Sequence, residues 1–72
     1  MDTRVEISSA FISEMRQHHA DLLEAYQQLK ESAIKEGNAM IAVKVTESIQ
    51  VVHRLIQVFE ERVERDFEII EG

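Results

Sequence analysis

The sequence predicts an all-α fold, an antiparallel hairpin of two long helices. Three observations carry the prediction. Apolar residues recur at helical spacing in both halves of the 72-residue chain, proline is absent, and Gly37, the only glycine before Gly72, falls almost at the midpoint. A chain without other punctuation folds back once, there.

The first helix is expected over about residues 3–36. Thr3-Arg4-Val5-Glu6 fits a capping box, in which a hydroxyl and a carboxylate each satisfy an orphan backbone N–H, with Ser8 and Ser9 as a later alternative start. Val5, Ile12, His19, Tyr26 and Ala33 form one heptad column, and Ser8, Met15, Leu22, Leu29 and Glu36 the other. The turn spans about residues 37–40: Gly37 can take the left-handed conformation that closes a helix, and Asn38 can cap the next one.

The second helix is expected over about residues 40–70. Ala42, Ile49, Ile56, Val63 and Ile70 repeat every seven residues, with Val45, Val52, Phe59 and Asp66 beside them and Glu47, Arg54, Glu61 and Glu68 on the opposite face. Ile41-Ala42-Val43-Lys44-Val45 alternates like a strand and residues 41–58 are rich in β-branched side chains. A strand is rejected there because the heptad continues through Val63 and Ile70, and because no second turn supplies a partner for its backbone groups.

Folding the two heptads onto each other places Ala33 beside Val45, Leu29 beside Ile49, Tyr26 beside Val52, Leu22 beside Ile56, His19 beside Phe59 and Met15 beside Val63. This register centres the turn on Ala39, within a residue or two of the glycine. Periodicity and turn chemistry therefore agree independently, and they make residues 1–72 a single helical-hairpin domain.

Composition excludes several functional classes. There is no cysteine, so neither a disulfide framework nor a thiolate metal site is available. With 8 Lys and Arg against 14 Asp and Glu, the net charge of −6 repels phosphates and argues against a nucleic-acid partner. No apolar run approaches the roughly 18 residues of a membrane span. The opening Met1-Asp2-Thr3-Arg4 lacks the basic start and apolar core of a signal peptide, so the expected location is the cytoplasm.

Two helices of about 32 residues would each run about 50 Å and share a seam rather than a core. The apolar stripe is also wider than one neighbour can cover. On the second helix Ile41, Leu55 and Ile69 flank the seam, Phe67 lies on its other side, and Val51 and Val58 sit further round; Phe11, Leu23 and Ala25 widen the first helix in the same way. The expected partner-binding residues are Val51, Leu55, Val58, Phe67 and Phe11. Their surplus face calls for a homodimer, a four-helix bundle, or for a heteromeric partner offering an amphipathic helix.

Residues capable of chemistry are few. His18, His19 and His53 are the only imidazoles, and His19 is expected in the seam beside Phe59 with the other two at the solvated edge. Glu14, Asp21 or Glu60 could join them, but adjacent histidines diverge by about 100° on a helix and no Glu-x-x-His pair occurs, so no metal and no cofactor is expected. Tyr26 reads as a core residue with its hydroxyl at the rim, and Asp66 as a seam charge near the open end. From Glu60 to Glu71 six acids accompany two arginines, a solvated face whose charge opposes the helix dipole, with Phe59, Val63, Phe67 and Ile70 as an apolar row. No nucleophile with its base, phosphate loop or carboxylate pair flanking a cleft is present, and no enzyme is expected.

These features point to a non-catalytic protein–protein interaction module: a small cytoplasmic adaptor, regulator or chaperone acting through an exposed apolar helix face. In layout the chain resembles the small acidic helical co-chaperones that hold secretion-system subunits, which implies a chaperone role and carries over no residues. A plasmid-type RNA-binding hairpin dimer has a similar outline, but the basic face it needs is missing. The alternative is an acidic decoy of nucleic acid that occupies a basic groove. Against it, both halves carry four basic and seven acidic residues, so the charge is interspersed rather than massed.

Overall fold

A computed structural model describes residues 3–71; Met1 and Asp2 of the opening segment, and Gly72, lie outside the described residues. The chain runs β1 (Val5–Ser8), α1 (Ser9–Lys35), α2 (Ala39–Asp66) and β2 (Phe67–Ile70). The two helices pack against each other as the expected hairpin, and α2 is helical throughout the β-branched stretch 41–58.

The turn is built from glycine and asparagine chemistry. Gly37 stands at φ 74°, its N–H donates to the Ile34 carbonyl (3.0 Å), and the Asn38 N–H donates to the Ala33 carbonyl (2.8 Å). These two bonds are the Schellman closure, which satisfies two carbonyls that the end of a helix leaves unpaired. Asn38 then starts α2, its Oδ1 accepting the Ile41 N–H at 3.1 Å. One residue therefore both closes α1 and opens α2.

At the other end the structure departs from the all-α expectation. Helix α1 begins at Ser9 rather than Thr3, with Ser8 as its cap accepting the Phe11 N–H at 3.1 Å, and α2 stops at Asp66 rather than about residue 70. The freed ends pair as a parallel ribbon: Val5 with Phe67, Glu6 with Glu68, Ile7 with Ile69 and Ser8 with Ile70. Both segments are short and rich in β-branched or aromatic residues, a composition that suits strands once a partner is present. The partner lies at the far end of the sequence, and the helical hairpin brings the two together.

The seam follows Ile12, Met15, His19, Leu23, Tyr26, Lys30 and Ala33 of α1 against Val45, Ile49, Val52, Ile56, Phe59 and Val63 of α2, all buried or half-buried. His19 and Phe59 meet edge to face with ring centroids 4.8 Å apart, the layer that the heptads require. Leu22 and Leu29, expected in the seam, are instead 45% and 49% exposed. The cause is the mismatch between 3.6 residues per turn and a seven-residue repeat, a drift of about 20° per heptad in a straight helix. From Met15 onward the column rotates out of the seam while Leu23 and Lys30 rotate in.

The result is one helix deep: the Cα atoms span 55 × 22 × 8 Å. The radius of gyration is 16.4 Å, whereas a compact domain of this length has about 11 Å. Among the described residues only Ile12, Ala33, Val45, Ile49 and Val63 are buried.

Candidate interaction face

A slab one helix deep has two broad faces, and an ion pair identifies one of them. Arg16 Nε donates to Glu60 Oε1 and its Nη2 to Oε2, each at 2.8 Å, joining α1 to α2. At about 100° per residue the same side carries Gln27 of α1 and Thr46, Gln50, His53 and Gln57 of α2. This face is polar.

The opposite face is rich in large apolar side chains, with His18, Lys44 and Arg62 among them. It carries Phe11, Leu22, Ala25 and Leu29 of α1 and Ile41, Val51, Leu55 and Val58 of α2, all exposed. Leu55 is 62% exposed and Val51 54%, and both line a shallow groove with Tyr26 and Val52 whose rim is Lys44, Glu47 and Ser48. Lys44 and Glu47 form an ion pair at 3.7 Å there. The arrangement, large aliphatic side chains framed by charge, suits contact with another apolar helix face.

Of the residues singled out from sequence, Val51, Leu55, Val58 and Phe11 share this face. Phe67 does not belong to a helix: it opens β2, is half-buried, and lines a hollow at the end of the slab with Val5, Ile7 and Phe11. Ile69 likewise sits in the ribbon rather than flanking α2. Leu22 and Leu29 are additions to the face, found once the seam is seen to drift. A smaller apolar patch of Ile34, Met40 and Val43 surrounds the turn.

Electrostatics follow the same division. The Arg16 guanidinium holds the Glu60 carboxyl below the usual carboxylate range, chiefly through its hydrogen bonds, and Glu60 in turn raises Arg16. Asp66 is half-buried and pairs with Arg65 at 3.1 Å and Arg62 at 3.8 Å. In the ribbon Glu6 stands directly opposite Glu68, two like charges on one surface. The histidines stay apart in role: His18 lies 3.7 Å from Glu14, His19 is in the seam with its Nδ1 buried and unpartnered, and His53 is exposed. Among the described residues no group of three or more His, Asp or Glu side chains is arranged to hold a metal ion. No helix among them is long and apolar enough to cross a membrane.

No protein family, curated protein or solved structure matches the chain.

Proposed function

We propose that the chain is a non-catalytic protein–protein interaction module, a small adaptor, regulator or chaperone that works through its apolar helix face. One observation carries the reading. The accessible surface is 5787 Å², whereas a compact monomer of 8.3 kDa exposes about 4,600 Å². The excess of about 1,200 Å² is the amount that one member of a stable obligate dimer covers. Domains are normally built from at least two packed layers, and this chain supplies one.

A second copy is the first occupant of the face, and the product is a four-helix bundle. A heteromeric partner offering an amphipathic helix would take the same face, with apolar anchors at i, i+3, i+4 and i+7 and basic residues at its rim. Sedimentation equilibrium over a wide concentration range tests the reading. The native chain should dimerise with little dependence on salt, and Leu55→Glu should dissociate it while leaving the helical circular dichroism in place. Association that collapses in salt and ignores Leu55 would instead favour the acidic decoy, whose contacts are electrostatic.

A further inference from the structure

The ribbon at the open end is a sheet of two strands. A two-stranded parallel pair is weak by itself, and among the described residues no further strand pairs with either of its edges. Because β1 leads into α1 and β2 leaves α2, parallel pairing makes the strands cross the end of the slab from α2 toward α1. All four residues of β1 border the hollow that contains Phe11, on the apolar side, where β2 contributes only Phe67, whereas Ile69 of β2 borders the hollow around Arg16 and Glu60, on the polar side. The open edge of β1 therefore lies on the face that lacks a partner.

We infer that a second copy of the chain docks by antiparallel pairing of β1 with β1, centred on Val5, so that a four-stranded sheet in the order β2-β1-β1-β2 closes the end of the four-helix bundle. The inference rests on the reading of the apolar face given above and assigns its geometry. Two strand spacings separate one copy from the next in such a sheet, about 9.6 Å. Packed helices stand about 8–10 Å apart, so one displacement satisfies sheet and bundle together. The two-fold axis of an antiparallel pair runs normal to the sheet, along the helices. It turns the two apolar faces toward each other and sets α1 of one copy against α2 of the other, antiparallel.

Charge selects the register. Directly opposed residues share a sheet face, so a symmetric pair must centre on a residue. Centring on Arg4 or on Glu6 sets like charges opposite each other and centring on Ile7 sets Glu6 opposite Ser8, whereas centring on Val5 alone sets opposite charges against each other, Arg4 of one copy opposite Glu6 of the other, twice. Val5, Ile7, Phe67 and Ile69 share one surface of the sheet, and Glu6 and Glu68 share the other.

The chain has no cysteine, so a single introduced thiol reports the geometry. Val5→Cys places two thiols across the axis, and opposed residues in antiparallel strands lie within the Cα separation that a disulfide spans. Mild oxidation should link Val5→Cys quantitatively and leave Gln57→Cys, on the polar face, unlinked. Independently, Arg4→Glu and Glu6→Arg should each raise the dimer dissociation constant about tenfold, and the double exchange should restore it. A dimer that Leu55→Glu disrupts, but that neither links through Val5→Cys nor is rescued by the charge exchange, overturns the β1 pairing and leaves the apolar-face reading standing. A native chain that is monomeric at every concentration overturns both.

Discussion

Arg16 and Glu60 clasp the two helices through a pair of parallel hydrogen bonds, each 2.8 Å, on the polar face of the slab. Both side chains are partly exposed, so solvent screens the pair, and Glu60→Gln should cost only about 0.2–1 kcal/mol. The Glu60 carboxyl is held below the usual carboxylate range, chiefly by its bonds to Arg16. Its contribution is therefore present above the carboxylate value of the unfolded chain and is lost as pH falls through the lower folded value. Denaturant unfolding of native chain and Glu60→Gln should show a difference at neutral pH that shrinks toward pH 3. A constant difference would mean that the substitution acts through packing.

His19 places a buried, unpartnered Nδ1 in the seam while its ring contacts Phe59 edge to face. A buried polar atom without a partner costs about 1–3 kcal/mol, and an aromatic pair contributes about 0.5–1.5 kcal/mol. The first effect outweighs the second. His19→Leu should raise stability by about 1 kcal/mol, measured as a shift in denaturation midpoint at unchanged slope. A loss of stability would show that the ring contact dominates.

Gly37→Ala tests the turn without steric interference, because a Cβ at Gly37 meets nothing within 4 Å. The cost is then conformational alone: φ of 74° in a non-glycine residue costs about 1–2 kcal/mol. Gly37→Asn should cost less, since asparagine tolerates the left-handed region. Thermal unfolding of the two variants should rank them in that order.

Much of this architecture was legible in the sequence. The glycine position and the heptad register each located the turn, and the His19–Phe59 layer follows from the register. The heptad was less informative about width. It assigned Leu22 and Leu29 to the seam because a seven-residue template ignores the drift of a straight helix, and that drift is what enlarges the apolar face. The strands were hidden for another reason. Each is only four residues, each continues a helical column, and a parallel pair joined by the whole hairpin has no turn to announce it. Of the proposed contact residues, Phe67 was drawn into the helix face by spacing when its strand places it at the slab's end.

The Glu6–Glu68 opposition predicts a simple gain. Like charges directly opposed on one sheet surface destabilise a pair of strands, and an opposite pair contributes about 0.2–1 kcal/mol. Glu68→Lys should slow amide hydrogen exchange in β1 and β2 and leave exchange in the middle of α1 and α2 unchanged. Faster exchange in the strands would mean that the carboxylate at Glu68 has a stabilising partner that outweighs Glu6.

Leu29 separates the fold of one chain from association between chains. It is about half exposed in the single chain, so a substitution there should change the stability of an isolated hairpin by no more than about 0.5 kcal/mol. In an assembly that covers the apolar face the same side chain becomes buried, and its truncation then costs about 2–5 kcal/mol per copy. Leu29→Ala should therefore lower the melting temperature strongly at high protein concentration and little at high dilution, where monomers dominate. Ile49→Ala, which removes a side chain already buried within one chain, should lower it at every concentration. If Leu29→Ala instead behaves like Ile49→Ala, the residue belongs to the seam in solution and the apolar face is narrower than the drift of α1 implies.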